Sequence, residues 1–569
     1  MRVRSLNLHF MPIKRCKYVD HDLTDQCPDK IIKAILLNPI IMAVANLTDR
    51  APINRMPELS TKDWIGVLST LLGAFMAVLD IQITNASLND ITGALGATID
   101  EGSWISTGYL VAEIVVIPLT GWLSQVFSVR RYMLVNAILF LLFSVACAWA
   151  TNLPMMILFR AGQGFTGGVL IPMAFTVILT TLPPTKQPIG LALFAITATF
   201  APSIGPTIGG WLTDNYSWQY IFYLNVFPGL LLIAGVWYAI SPKPMQLELF
   251  KQGDWWGIAT MAIGLASLEF FLEEGNRKDW LGSEEIKQAA LIAVLTLPLF
   301  VWIQFKRKQP LLNLRLLGQR NFGLSILVNL ATGLGLYGSV FILPLFLAQI
   351  QGYNAMTIGE TIMWAGIPQL FIIPFVPRLM QRFDLRLLIA VGLILFGISC
   401  FMNSSLTHDT GLEQLRWSQI VRAIGQPLII TPLSSVATAG IEPKQIGSAS
   451  GLFNVSRNLG GSIGIAALST LLSVRERFHS NRLVESISLD NQITRDRLDQ
   501  LMQFFLTKSG DTVLSQNQAY ATFDQLVRRE SNVMAYNDCF FFMGCALVAA
   551  ALLTIFLKKV KPTSGAVGH

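Results

Sequence analysis

Seven ionisable residues, Asp80, Glu113, Arg160, Glu269, Glu360, Arg422 and Arg457, sit within or at the edges of long apolar stretches of this 569-residue chain. A charge in such surroundings costs a few kcal/mol at least, so it persists where it pairs or does work. An apolar environment favours the neutral form of a carboxyl group and a neighbouring cation favours its ionised form. A carboxylate that alternates between the two can load and release a proton. Asp80 and Glu113 are the first candidates for that role. Arg160 keeps its charge in any protein environment and reads as an electrostatic partner. Each also has a structural reading: Asp80 as a hydrogen-bonding group to Thr84 or a neighbouring helix, and Glu113 in a static pair with an arginine. Glu269 and Glu360 lie nearer the ends of their stretches, where solvated or snorkelling side chains are common. Arg422 and Arg457 are secondary candidates, and Arg457, just before Asn458-Leu459-Gly460-Gly461, serves helix packing equally well.

The elements that must position these residues follow from composition. With 52% hydrophobic and only 14% charged residues and a mean hydropathy of +0.52, the chain departs from soluble domains, which are about 25% charged. Fourteen apolar stretches are long enough to cross a hydrocarbon core, at 64–88, 104–125, 132–150, 155–180, 188–212, 218–240, 256–272, 288–305, 322–349, 356–380, 385–403, 414–438, 446–472 and 534–557. The sequence therefore predicts an all-α polytopic membrane protein surrounded by lipid.

Basic residues set its orientation. The short segments on one side hold seventeen Lys or Arg, and those on the other hold four, Arg277, Lys278, Lys287 and Arg416. By the positive-inside rule both termini are cytoplasmic. The net charge of +7 belongs to that asymmetry, and no nucleic-acid partner is expected. Residues 474–533 form a polar outer segment suited to a solvated domain or docking surface. Residues 1–63 read as a cytoplasmic tail in which 31–47 is too interrupted to span, with Met56 a candidate start, and 558–569 as a second tail.

An internal repeat orders the spans. Pro118 to Arg130 aligns without gaps on Pro374 to Arg386, sharing Pro, Leu, Gln, Phe and Arg, and each copy follows the second span of a set of six. The chain thus divides into a six-helix bundle over 64–240, a linker with two extra helices over 241–321, and a second bundle over 322–557. Parallel repeats of this kind place a substrate site between the halves. The fifth stretch carries Pro202, Gly205, Pro206, Gly209 and Gly210, implying a bendable, closely packed helix. Gly333, Gly335 and Gly338 match G-x-G-x-x-G, but inside a span and without a preceding strand, so they read as helix packing. No phosphate loop, Cys/His metal pattern or His/Asp constellation is present, and neither an enzyme nor a cofactor is expected.

Several segments together resemble one family. They are Leu79-Asp80 in the first span, Gly121-Trp-Leu-Ser-Gln125-Val-Phe-Ser128-Val-Arg130-Arg131 after the second, Arg160-Ala-Gly-Gln163-Gly164 in the fourth, and Gly205-Pro206-x-x-Gly209-Gly210 in the fifth. Asn215 to Gly229 and Arg475-Glu-Arg-Phe-His479 continue the match. From about Trp64 to Lys559 the chain resembles the 14-span drug/proton antiporters of the major facilitator superfamily, EmrB/QacA subfamily, on its EmrB side. The resemblance implies a major facilitator fold of 6 + 2 + 6 helices and proton-driven export of hydrophobic or amphiphilic compounds, with the fifth-span motif marking exporters. It also implies a Gram-negative inner membrane, an EmrA-type periplasmic adaptor and a TolC-type outer-membrane channel. Export of an endogenous fatty acid or siderophore is the alternative. Two positions depart from the family's loop motif: Gln125 stands where aspartate is usual and Ser128 where glycine is usual. The first removes the charge of a conformational latch.

Overall fold

A computed structural model of the protein describes residues 60–307, 310–442, 445–487 and 491–560. The expectations for residues 1–55 and Met56 fall outside these, as do Lys308, Lys444 and Lys561. Every predicted stretch falls on a helix: α1 (Thr61–Ala86), α2 (Trp104–Phe127), α3 (Val129–Ala148), α4 (Leu153–Thr181), α5 (Gln187–Asn215), α6 (Tyr220–Ala239), α7 (Trp255–Gly275), α8 (Glu284–Lys306), α9 (Arg320–Gln349), α10 (Met356–Arg382), α11 (Leu385–Ser405) and α12 (Leu412–Thr438). They continue as α13 (Ile446–Ser486), the extra helix α14 (Gln492–Ser509) and α15 (Thr512–Leu553).

Local sequence sets the helix starts. Ser60 and Asp63 form a capping box at α1, and the side chains of Asn152, Asp254 and Asn354 accept from the first free amides of α4, α7 and α10. Asp384 caps α11, and its hydrogen bond from the Arg386 side chain holds its carboxyl below the usual carboxylate range. Thirteen of these helices, among the described residues, are long and apolar enough to cross a membrane. The two outside that set are the polar α14 and α13, whose inward surface carries Ser450, Asn454, Ser456, Arg457 and Ser462, all buried.

Helices α1 to α6 pack on one another, as do α9 to α13 with α15, and the two sets meet where α5 lies along α10 and α12 and where α2 crosses α13. The pair α7/α8 forms its own hairpin, and α7 sits against both α2 and α13 at that seam. Only a fifth to a third of the apolar windows of α6, α7 and α8 is buried, and Leu291, Val294, Leu295 and Trp302 face outward, as lipid contact requires.

The expected outer segment 474–533, for which the sequence offered a solvated domain or docking surface, takes a helical form. α13 runs on to Ser486, α14 follows, and α15 begins at Thr512, so the polar segment is largely helical. Where α13 and α15 leave the apolar region, Asp538 on α15 takes Arg475 at 2.5 Å and His479 at 2.7 Å.

Glycines decide the closest crossings. A Cβ on Gly121 would lie 2.8 Å from the carbonyl of Gly447, so α2 and α13 touch backbone to backbone at the end of the bundle that holds Arg130. A Cβ on Gly205 would lie 2.5 Å from the Gln82 Cβ, and one on Gly209 would lie 2.9 Å from the Ile83 carbonyl oxygen, so the fifth-span glycines press α5 onto α1; Pro206 and Gly210 are buried beside them. Gly333 of the G-x-G-x-x-G match abuts the Arg457 carbonyl. Ser128 adopts φ 69°, ψ 142°, a conformation that suits glycine and accounts for the family preference at this turn. Gln125 and Arg131 are exposed, while the Arg130 guanidinium stacks over the Trp237 ring at 4.4 Å.

Candidate functional site

Two arrangements emerge from the residues singled out above. The first is a closed knot around Asp80. Arg160 NH1 donates to Asp80 Oδ2 at 2.6 Å, while Gln163 Nε2 and Asn225 Nδ2 donate to Oδ1 at 2.9 and 2.6 Å. Arg160 also donates to Gln163 Oε1 at 2.7 Å and, through Nε, to the Ile105 carbonyl at 3.4 Å, and its guanidinium lies 4.3 Å from the centre of the Tyr109 ring. Asn225 continues to Ser144 Oγ at 3.0 Å. Five helices, α1, α2, α3, α4 and α6, are tied together here, with Asp80 2% and Arg160 0% exposed. Thr84 bonds to the Asp80 backbone carbonyl, at 2.8 Å, and not to the carboxylate.

The second is a cavity of about 460 Å³ between the two halves. Three carboxylates line it: Glu113 from α2, and Glu269 and Glu273 from α7. Gln82, Asn85, Asn89, Tyr337, Asn458 and Ser462 are among the polar groups in walls that are otherwise mostly apolar. Among the described residues, Glu113 has a single hydrogen-bond partner, Asn458 Nδ2, at 3.5 Å, so the static arginine pair considered from sequence is absent in this conformation. Ser462 Oγ donates to Glu269 Oε1 at 2.6 Å, and Glu269 Oε2 is buried without a partner.

The cavity reaches one end of the bundle through Asn85, Ala86 and Asn89, of which Asn85 and Asn89 are exposed. The Arg130 end is shut. There Gly121 meets Gly447, Ser450 Oγ donates to the Pro172 carbonyl at 3.0 Å, and Phe175 stacks on Phe453 with ring centres 5.6 Å apart. All three contacts join the two halves. The structure is thus one state of a device with access from a single side.

The placement of the sequence candidates follows. Glu113 lines the cavity, whereas Asp80 and Arg160 lie inside the first bundle and do not. Glu269, expected to be solvated or snorkelling, is 2% exposed and points into the cavity, because α7 packs into the α2/α13 seam and turns that face inward. Glu360 is exposed as expected. Arg422 is buried beside Gln419, 3.4 Å from its NH1, and Arg457 holds Asn454 at 3.0 Å. Sequence reasoning missed Glu273 and Ser462, which carry no motif. It did not assign roles to Gln163 and Asn225, although both stand in quoted motifs.

Comparison with known proteins places this fold in a family. The sequence profile of the Major Facilitator Superfamily matches residues 70–465. Colistin resistance protein EmrB of Acinetobacter baumannii is 33% identical over 498 residues, covering 88% of this chain and 97% of that protein. Multidrug export protein EmrB of Escherichia coli is 30% identical over 506 residues, covering 89% and 96%. Fatty acid resistance protein FarB of Neisseria gonorrhoeae is 29% identical over 509 residues, covering 89% and 98%. Among solved structures, the proton:xylose symporter XylE bound to 6-bromo-6-deoxy-D-glucose superposes with a TM-score of 0.55 at 14% identity, covering 89% of this chain and 98% of that one, which speaks to the fold alone. With its repeated bundles, membrane-spanning helices and end-to-end match to these relatives, the chain belongs to the major facilitator superfamily of multi-pass membrane transporters, and within it to the EmrB subfamily.

Proposed function

We propose that this protein is a proton-coupled exporter of hydrophobic and amphiphilic compounds in a bacterial inner membrane, with its Arg130 end and both termini in the cytoplasm. The observation that carries the reading is the buried carboxylate Glu113 on the wall of a cavity open at one end only. In this state the cavity faces outward. Glu113 takes up a proton there and substrate leaves, and rocking of the two bundles then exposes the cavity to the cytoplasm. The Asp80–Arg160 knot keeps the first bundle rigid during that motion. Asp80 and Glu113 are both candidates on the sequence, but the Asp80 carboxylate accepts three hydrogen bonds away from the cavity, and the geometry favours Glu113.

The outer extension α13–α15 exposes Ile493, Phe504, Val513 and Leu514 and supports docking of an EmrA-type periplasmic adaptor that leads to a TolC-type channel. Expression in an efflux-deficient Gram-negative host tests the reading. Resistance to several unrelated amphiphiles is expected, together with dye export that a protonophore stops and ATP depletion with the gradient maintained does not. Export that follows ATP and ignores the gradient would refute it. The FarB relative keeps fatty acid export as the alternative substrate reading.

A further inference from the structure

The connection from α8 to α9 lies at the polar end of the protein, yet it carries four buried leucines, Leu311, Leu312, Leu314 and Leu316. Connecting segments ordinarily run over the surface, so apolar burial here points to a docked segment. The first three join a cluster with Ile114 and Leu119 of α2 and Met261 and Leu265 of α7, against which Leu452 of α13 packs. Leu312 reaches the seam itself: a Cβ on Gly451 of α13 would lie 3.6 Å from its Cδ2 and 3.7 Å from both the Ile117 carbonyl oxygen and the Pro118 Cα of α2. The leucine therefore sits in the crossing of the two halves, one turn along α13 from the Gly121/Gly447 contact. Its backbone is pinned to the inserted hairpin. The Leu312 amide donates to Gln304 Oε1 on α8 at 3.2 Å, and Gln304 Nε2 donates to Asp254 Oδ2 at the start of α7 at 2.8 Å. Asp254 Oδ1 accepts from the Gly257 amide at 3.1 Å and faces Arg307 at 3.4 Å. Gln304 and Asp254 are buried, so hairpin and connection form one unit. Gln125, where the loop motif loses its charge, is exposed at this same end.

We propose that the inserted hairpin and its connection to α9 lock the cytoplasmic gate, with Leu312 as the bolt. Opening the cavity to the cytoplasm parts α2 from α13 at Gly121/Gly447, and the seat of Leu312 between them is lost. The side chain then gives up apolar burial, which opposes opening and favours the state closed at the Arg130 end. The lock rests on the rocking motion of the exporter reading and gives the two extra helices a part in it.

Double electron–electron resonance on the full-length protein in nanodiscs tests it, with nitroxide-bearing non-natural amino acids at Lys186, before α5, and Arg382, at the end of α10, both exposed at the Arg130 end of opposite bundles. The wild type is expected to show a short distance for the closed gate and a long one for the open gate, in a ratio that pH shifts. At the pH where the wild type is evenly divided, Leu312→Ala should raise the open-to-closed ratio about tenfold. Leu312→Met, which keeps the volume, should stay within about twofold of wild type. Leu232→Ala is the control for general loosening, because Leu232 is buried inside the first bundle against Gly73; it should lower the melting temperature and leave the ratio in place. An unchanged ratio or a shift toward the closed state in Leu312→Ala would overturn the lock, as would equal opening in Leu232→Ala. If Leu312→Ala does not fold, Leu312→Val decides by the same sign. A wild type with one distance at every pH would overturn the rocking reading and the lock with it, whereas two distances that ignore Leu312 remove the lock alone.

Discussion

In proteoliposomes with an imposed pH gradient, Glu113→Gln is expected to lose all uphill accumulation of substrate while still exchanging substrate down its own gradient. Glutamine keeps the shape of the side chain and its contact with Asn458 but carries no exchangeable carboxyl proton. Glu113 sits on α2, the helix that crosses α13 between the two halves, so rocking at the Gly121/Gly447 contact changes what surrounds its carboxyl group. Its weak 3.5 Å bond to Asn458 leaves it free to change partners, in contrast to Asp80. Full uphill transport by Glu113→Gln would move the coupling role elsewhere.

Asp80→Asn and Arg160→Ala should instead act on stability, each by about 3–5 kcal/mol, the cost of leaving one member of a buried ion pair without its partner. For Asp80→Asn there is an added conflict. Asp80 Oδ1 accepts from both Gln163 and Asn225 and Oδ2 accepts from Arg160, so the new amide nitrogen must face a donor whichever way it turns. Both variants should melt well below the wild type in detergent and reach the membrane in reduced amount. The double variant Asp80→Asn/Arg160→Gln removes both charges and should recover part of the loss, because neighbouring substitutions in one network are not additive. An Asp80→Asn protein with wild-type thermal stability and no uphill transport would restore Asp80 as the carrier.

Much of the fold was legible because a bilayer leaves little choice. A spanning segment needs about 20 apolar residues with its backbone bonds satisfied internally, so hydropathy located the thirteen helices that, among the described residues, are long and apolar enough to cross. The fifth-span glycines were equally readable, since small residues mark close crossings; Gly205 and Gly209 do press against α1. Polar helices carry no such signal. Residues 474–533 read as a polar outer segment of undefined secondary structure, and α13 and α15 extend into it, held where they emerge by Asp538 with Arg475 and His479. The site was half legible. Ionisable residues in apolar stretches stood out, but which of them share a cavity depends on how α7 docks at the α2/α13 seam, a long-range contact that no local pattern encodes. Glu269 near a span end and Glu360 near another look alike in sequence; packing buries one and exposes the other.

The central claim, obligatory exchange of protons for substrate through the Glu113 cavity, is tested most directly by running the exchange without an imposed proton gradient. Wild-type protein is reconstituted into vesicles that contain a pH-sensitive dye, and substrate is added outside only. Substrate moving in should drive protons out and raise the lumenal pH, an effect expected to vanish with a protonophore and with Glu113→Gln. Substrate entry with no change in lumenal pH, or with a fall showing that protons move in the same direction, would contradict the account.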